Sequence, residues 1–255
     1  MNSFVYWVTH NPITDDWVML PDIAPSQIKA SRLIKVAFTG DLDRKIHTNP
    51  FFFGTEKIYL RAQIARIFHS TTLAAKGVYK LKDSEEEGVP SREIEDNIPE
   101  EAEAPVWPST KDMASANMWV HRLPGILKCA RTSHMEQEVP EDAPEELTAE
   151  VLMARTIAQD PYDPRLKEIT ADAPLKVGEG IKAAPWVVRH FGEKTDFVSS
   201  ADPKKSENYG VVVARSLQWP GSCSFYNQGR IYQIYVGDGH KYEDKKFYPE
   251  FPPDV

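Results

Sequence analysis

The hydrophobic and polar positions of this chain change period several times, and each change marks an element. Phe4-Val5-Tyr6-Trp7-Val8 is a run of β-branched and aromatic residues, the composition of a strand. Trp17 to Leu20 reads as its hairpin partner across Asn11-Pro12 and Asp15-Asp16. Helical spacing follows. Pro25 stands in the favoured first-turn position. Ile28, Leu33, Ile34, Ala37 and Phe38 supply an apolar face, and Gly40 sits where a C-terminal cap belongs. Thr55 is placed to cap a second helix, with Glu56 in the first turn, where the helix dipole favours an acid. Ile58, Ala62, Ala65 and Leu60, Ile64, Ile67 recur at helical spacing, and Arg61 and Arg66 stand off those stripes. Gly77 to Leu81 reads as a short strand.

Further on, Asp112 to Lys128 has a helical pattern, with Met118, Trp119 and Leu123 on one side and Pro124-Gly125 interrupting it. Thr148 to Ala158 reads as a short helix capped by Thr148. Pro185 to Arg189 is a strand, and Val211 to Val213 is a run fit for a buried one. Trp219-Pro220-Gly221 breaks the pairing, because proline has no donor and glycine takes turn dihedrals freely. Phe225-Tyr226 starts another strand, and Asn227-Gln228-Gly229 is a tight-turn signal. The last strand places Ile231, Gln233 and Tyr235 on one face and Tyr232, Ile234 and Val236 on the other. Both faces carry apolar groups, so cover on both sides is expected. Ser199 to Asn208 reads as an exposed polar loop. The pattern predicts an α+β fold of mostly antiparallel, aromatic-rich sheets with several helices and long acidic disordered loops. Its divisions are 1–82, strand and helix; 83–110, an acidic mobile loop; 111–176, a helical middle; and 177–255, a β part forming one composite domain with 1–82.

Charge sharpens that division. The chain of 255 residues carries 38 acids and 30 bases. Asp83 to Pro105 holds ten acids and one base, and Glu136 to Glu150 holds seven acids and no base. The remainder has 29 bases against 21 acids, a mildly basic body bearing two acidic segments. Asp83 to Pro105 has few large apolar residues to offset its ordering entropy, so a mobile loop is expected. The body shows no basic stripe and no nucleic-acid module, so no nucleic-acid partner is expected. No run of eighteen apolar residues suggests a membrane span, and the first residues lack the pattern of a signal peptide. Cys129 and Cys223 fit free thiols in a reducing compartment.

The motifs that could carry chemistry are incomplete. Gly178-Glu-Gly180 and Gly237-Asp-Gly239 lack the further glycines and the following helix of a phosphate cradle, and read as turns. Asp238, His240, Glu243 and Asp244 cluster in one stretch. A metal site or acid/base pair competes there with a solvated loop in which His240 bonds to backbone. Cys129, His134 and His121 lack paired zinc-ligand spacing. Ser216 and Ser222 lie in no nucleophile elbow. The aromatics Trp219, Tyr226, Tyr232 and Tyr235 read as core or interface anchors, with ligand binding as the alternative. No catalytic, cofactor or metal residues are assigned.

Trp219-Pro220-Gly221, Tyr235-Val-Gly-Asp-Gly-His-Lys-Tyr242 and Pro252-Pro253 resemble the radial spoke head 4/6 family. Val5-Tyr-Trp-Val8, Trp17 to Pro21, Ala24-Pro25, Phe38-Thr-Gly40 and Tyr59-Leu-Arg-Ala-Gln-Ile-Ala-Arg-Ile67 resemble the same family in the same order. The resemblance implies a non-catalytic structural component of the radial spoke head, in the axoneme of motile cilia and flagella. It would assist head assembly and pass mechanical signals between the central pair and the dynein arms. Implied partners are other head subunits, including a second copy of the four/six type, with transient contact to central-pair projections and neither nucleic acid nor membrane. Within that frame, partner contacts are expected near Trp219, Tyr226, Tyr235, Phe247, Tyr248 and Phe251. Two rival readings are a general interaction adaptor outside cilia and an enzyme using the Asp238–His240 loop. Family members carry a helical N-terminal region and early strands ahead of the Val5 segment, and an acidic tail after the final prolines. Without the early strands, Phe4 to Val8 would have an open edge.

Overall fold

A computed structural model describes residues 2–82, 93–135, 139–140, 144, 148–192, 196–198, 206–208 and 210–242. The chain opens on a two-stranded hairpin, β1 (Trp7–Val8) and β2 (Val18–Met19), followed by α1 (Pro25–Ser31) and the long α2 (Glu56–Thr71). Next come β3 (Leu73–Ala75), β4 (Tyr79–Leu81), β5 (Ile94–Asp96), the single-turn α3 (Thr110–Met113) and β6 (Trp119–His121). After α4 (Ala149–Gln159) the chain is β-structured: β7 (Leu175–Gly178), β8 (Ile181–Ala183), β9 (Trp186–Phe191), β10 (Asp196–Val198), β11 (Ser206–Asn208), β12 (Val211–Ser216), β13 (Ser222–Asn227) and β14 (Arg230–Tyr235). The pairs β1–β2, β3–β6, β4–β5, β7–β8 and β10–β11 are antiparallel, and a four-stranded antiparallel sheet runs β14-β13-β12-β9. The fold is the expected α+β class.

Three apolar clusters form among the described residues. The largest joins Trp119, Trp186, Val212, Ala214 and Tyr226 to Met113 and Ile169, between the four-stranded sheet and the β3–β6 pair. The second sets Ile23 and Ile28 against Ala62 and Ala65. The third packs Ile34, Val36, Ile46 and Phe52 on Tyr59. Helix α2 thus supplies residues to two of the three.

Several elements depart from their sequence pattern. Helix α1 stops at Ser31 rather than near Gly40. Beyond it Ile34 and Val36 are buried while Ala37 is exposed, the alternation of an extended chain. Ile34 fits both periods, and Arg32 commits the chain by donating to the carbonyls of Ile126 and Leu127 at 3.1 and 2.9 Å. The helix expected over Asp112 to Lys128 is one turn followed by strand β6. Ser109 and Asp112 cap that turn reciprocally. The Trp119 indole donates to Met113 O at 2.8 Å, which folds the chain back where a helix would have carried the two apart. Within Asp83 to Pro105, residues 94–96 form β5 paired with β4, so that part is a hairpin arm rather than a mobile loop; residues 83–92 lie outside the described residues. In the polar stretch 199–208, residues 206–208 pair as β11 and 199–205 lie outside the described residues. Strand β14 is an edge strand covered on one face only: Tyr232, Ile234 and Val236 are exposed.

Candidate partner interface

Helix α2 is the hub on which the remote segments converge. Thr55 occupies its N-cap position but makes no side-chain cap bond. Glu56 organises this end instead, turning back to accept from the Gly40 and Thr39 amides at 2.7 and 2.8 Å, the Thr39 hydroxyl at 2.8 Å and Arg44 Nε at 2.9 Å. Burial raises its pKa, but those donors outweigh it and hold the carboxyl below the usual range. Two turns later, Gln63 donates to Gly239 O at 2.8 Å and accepts from Arg66 Nη1 at 2.7 Å. The Arg66 guanidinium lies 5.1 Å from the centre of the Trp219 ring, a cation–π geometry. Arg61 donates to Phe4 O and lies 4.6 Å from the Tyr6 ring centre. Both arginines that stand off the apolar stripes are therefore buried, because the N-terminal hairpin and the C-terminal corner cover the faces they occupy. His69 donates from Nδ1 to Pro124 O at 2.9 Å, since a carbonyl only accepts. Burial drives its pKa down to about 4 despite that bond.

The C-terminal corner is built to tight tolerance. Gly221 has φ +97°, and a Cβ there would lie 1.9 Å from Val236 O, so only glycine fits. The tight turn at 227–229 has positive φ at Gln228 and Gly229, as a two-residue hairpin requires. Tyr235 accepts from the Gly239 amide at 2.8 Å. His240 Nε2 donates to Val36 O at 3.0 Å, 204 residues away in sequence, and its ring stacks 6.2 Å from Phe38. The string Tyr59 to Ile67 and the loop Tyr235 to Tyr242 are thus packed on one another.

The expected interface residues separate accordingly. Trp219 and Tyr226 are each 1% exposed and lie inside the chain's own core, where they shape surfaces rather than present them. Tyr235 is half-buried against its own loop. Phe247, Tyr248 and Phe251 lie outside the described residues. Sequence reasoning passed over the surface that the structure does offer. On the β1–β2 hairpin, Trp7 pairs with Met19. Phe4 and Tyr6 turn inward onto Phe68, with ring centres 5.0 and 5.9 Å apart. Alternation then sets Val5, Trp7, Trp17 and Met19 on the outer face, with Trp7 55% and Trp17 53% exposed. Phe51 and Phe53, whose ring centres are 6.4 Å apart, are also exposed around buried Phe52. The signal was present: Phe4 to Val8 is apolar at every position, more than one buried face needs.

Of the candidate chemical groups, Asp238 and His240 adjoin, with Oδ2 and Nδ1 3.5 Å apart, and the others are dispersed. Asp238 is exposed, and its Oδ1 accepts from the His240 amide. Glu243 and Asp244 lie outside the described residues. His121 donates from Nε2 to Asp172 at 3.0 Å, and Trp186 Nε1 donates to the same carboxylate at 2.6 Å. The other ring nitrogen of His121 is buried without a hydrogen-bond partner among the described residues, and the shared Asp172 carboxylate joins β6 to Trp186 of β9. His134 bonds Asp160 O, and Cys129 and Cys223 are free thiols. Ser216 accepts from the Trp219 amide. No group of three metal-ligating side chains occurs among the described residues, and no helix there is long and apolar enough to cross a membrane.

The model of the radial spokehead-like protein family matches residues 1–255. Mouse radial spoke head protein 6 homolog A is 32% identical over 98% of this chain and 34% of its own length. Human radial spoke head protein 4 homolog A is 33% identical over 100% of this chain and 33% of its own. Flagellar radial spoke protein 4 of Chlamydomonas reinhardtii is 34% identical over 100% of this chain and 48% of its own. The chain spans about a third of the length of the two mammalian relatives and about half of the algal one. The chain belongs to the radial spokehead-like protein family, whose members are components of the axoneme of cilia and flagella.

Proposed function

We propose that this chain is a non-catalytic structural component of the radial spoke head, assisting head assembly and the passage of mechanical signals between the central pair and the dynein arms. The family match along the whole chain carries this reading. Exposed aromatic residues support it, because contiguous apolar surface on a folded body marks an interaction site. The outer face of the β1–β2 hairpin is the surface we assign to other head subunits, with Trp7 and Trp17 as anchors. Phe247, Tyr248 and Phe251 remain candidates for a second contact. The acidic segments suit a looser kind of contact. Engagement with central-pair projections must form and release at each beat, and an excess of like charge keeps it weak and salt-dependent.

The test is co-purification from high-salt axonemal extracts of cells expressing the tagged chain. The wild type is expected to bring down other head subunits. Trp7→Ser with Trp17→Ser should reduce their recovery at least tenfold while leaving the chain folded, since both side chains are half exposed. Equal recovery would remove the hairpin from the interface. Absence of head subunits with the wild type would remove the spoke-head reading.

A further inference from the structure

The outer face of the β1–β2 hairpin carries charge as well as apolar surface, and the charge has one sign. Residues 2–23 hold three acids, Asp15, Asp16 and Asp22, and no lysine or arginine. All three acids are exposed. Asp15 and Asp16 directly precede Trp17, and Asp22 follows Met19 by three residues, so carboxylates stand at both ends of β2. Asp22 lies within electrostatic reach of Arg61. Asp15 accepts from the adjacent Thr14 hydroxyl, and neither Asp15 nor Asp16 has an ion pair among the described residues. Trp7 and Trp17 are 55% and 53% exposed. Neither indole has a ring, cation or hydrogen-bond contact among the described residues. Elsewhere in the chain, aromatic rings are capped by arginine. Arg61 lies 4.6 Å from the Tyr6 ring centre on the inner side of this same hairpin, Arg66 lies 5.1 Å from Trp219 and Arg122 lies 4.9 Å from Tyr79. An indole face is the negative pole of the ring quadrupole. Bare indoles and unpaired carboxylates on one hairpin therefore attract the same thing, a cation.

We propose that the outer face of the hairpin docks an arginine-bearing polypeptide segment. One guanidinium lies on the Trp7 or Trp17 indole, a neighbouring base pairs with Asp15 or Asp16, and apolar side chains between them cover Val5 and Met19. Charge complementarity selects this occupant. An anionic lipid surface or a nucleic acid would bring phosphates against unpaired carboxylates and be repelled, and a purely apolar partner would bury those carboxylates without counter-charge. Arginine fits better than lysine, because its planar, weakly hydrated guanidinium stacks on a ring while its edge still reaches a carboxylate. The inference rests on the reading of this hairpin as a contact surface and adds the chemistry of what it contacts.

The probe is a fluorescently labelled synthetic peptide of alternating arginine and leucine, titrated with the full chain and followed by anisotropy, beside matched peptides with lysine or glutamine in place of arginine. The chain has six tryptophans, and their indole N–H resonances report by NMR where the peptide sits. Saturable binding of the arginine peptide is expected, about threefold tighter than the lysine peptide and at least tenfold tighter than the glutamine one. The Trp7 and Trp17 resonances should shift, and those of Trp119, Trp186 and Trp219 should stay. Asp15→Asn with Asp16→Asn should weaken binding at least threefold. Trp7→Leu with Trp17→Leu, which keeps an apolar face, should weaken it and abolish the preference for arginine over lysine, with an unchanged thermal midpoint showing that the chain is folded. No saturable binding, equal binding of the glutamine peptide, binding within twofold of wild type in the aspartate variant, or shifts that miss Trp7 and Trp17 would each overturn the proposal. Both double variants are also carried through the axonemal co-purification. Head subunits lost with the tryptophan variant but kept with the aspartate variant would leave the hairpin an interface and withdraw the basic partner. Head subunits kept with both would remove the hairpin assignment itself.

Discussion

Replacing His69 by Asn removes one titrating group from the heart of the fold and leaves a side-chain N–H near the position of Nδ1. In the native chain Nδ1 donates to Pro124 O, Nε2 is buried without a partner, and protonation is disfavoured until about pH 4. In the unfolded chain the group regains its ordinary value of about 6.5. The unfolded state therefore binds more protons between those values, so native stability falls as pH falls through that window. Between pH 7.5 and pH 5 the loss from this one group is about 2 kcal/mol, saturating near 3 kcal/mol below pH 4. Urea unfolding at the two pH values reads it directly: with a slope of about 3 kcal/mol per molar, the midpoint drops by roughly 0.7 M. His69→Asn is expected to be less stable at pH 7.5, through lost packing, but to lose about 2 kcal/mol less on going to pH 5. An unchanged pH dependence in the variant would show that His69 titrates normally in the native state, and that α2 is not shielded from water as its packing implies.

Glu56→Gln should cost about 2–3 kcal/mol, because it removes the carboxylate charge beside Arg44 and weakens four converging hydrogen bonds at a buried site. Its pH signature lies lower than that of His69. A carboxyl held below its ordinary pKa contributes stability that is present above the carboxylate range and lost as pH falls through the folded value, so Glu56→Gln should flatten the acid limb below about pH 4.5. Gly221→Ala should cost about 2–4 kcal/mol, combining a left-handed backbone with displacement of the Val236 carbonyl; a thermal midpoint equal to wild type would contradict the corner geometry. Neutralising the ten acids of Asp83 to Pro105 should leave head assembly intact and alter beating; failed assembly would make that segment structural.

Local signals read well in the sequence where one period or one turn residue decides the outcome. Pro25 opens α1 and Thr148 caps α4, its hydroxyl accepting from the Val151 amide at 3.3 Å. The 227–229 turn and the Trp219-Pro220-Gly221 corner stand where their residues put them. What failed to show was decided by distant partners. Arg61 and Arg66 look solvent-facing on a helical wheel, yet Phe4, Tyr6 and Trp219 arrive from the two ends of the chain to cover them. Trp119 has an apolar spacing that suits a helix, but pairing with Ala75 and the bond to Met113 O hold it in a strand. The third C-terminal strand has apolar residues on both faces, and no periodicity could say that one face would be left open at a sheet edge. The same limit applied to the interface. Aromatic richness pointed to Trp219 and Tyr226, while the exposed tryptophans sit on a hairpin whose inner face is filled by Phe4 and Tyr6.

The central claim is that this chain is part of the spoke head, and the most direct measurement places it there. The tagged chain would be expressed in a motile ciliated cell, its axonemes stripped of membrane and washed in salt, and the pellet probed beside other head subunits. Retention in the washed axoneme together with those subunits is the predicted result. Release of the chain into the soluble fraction while the other head subunits stay in the pellet would contradict the account.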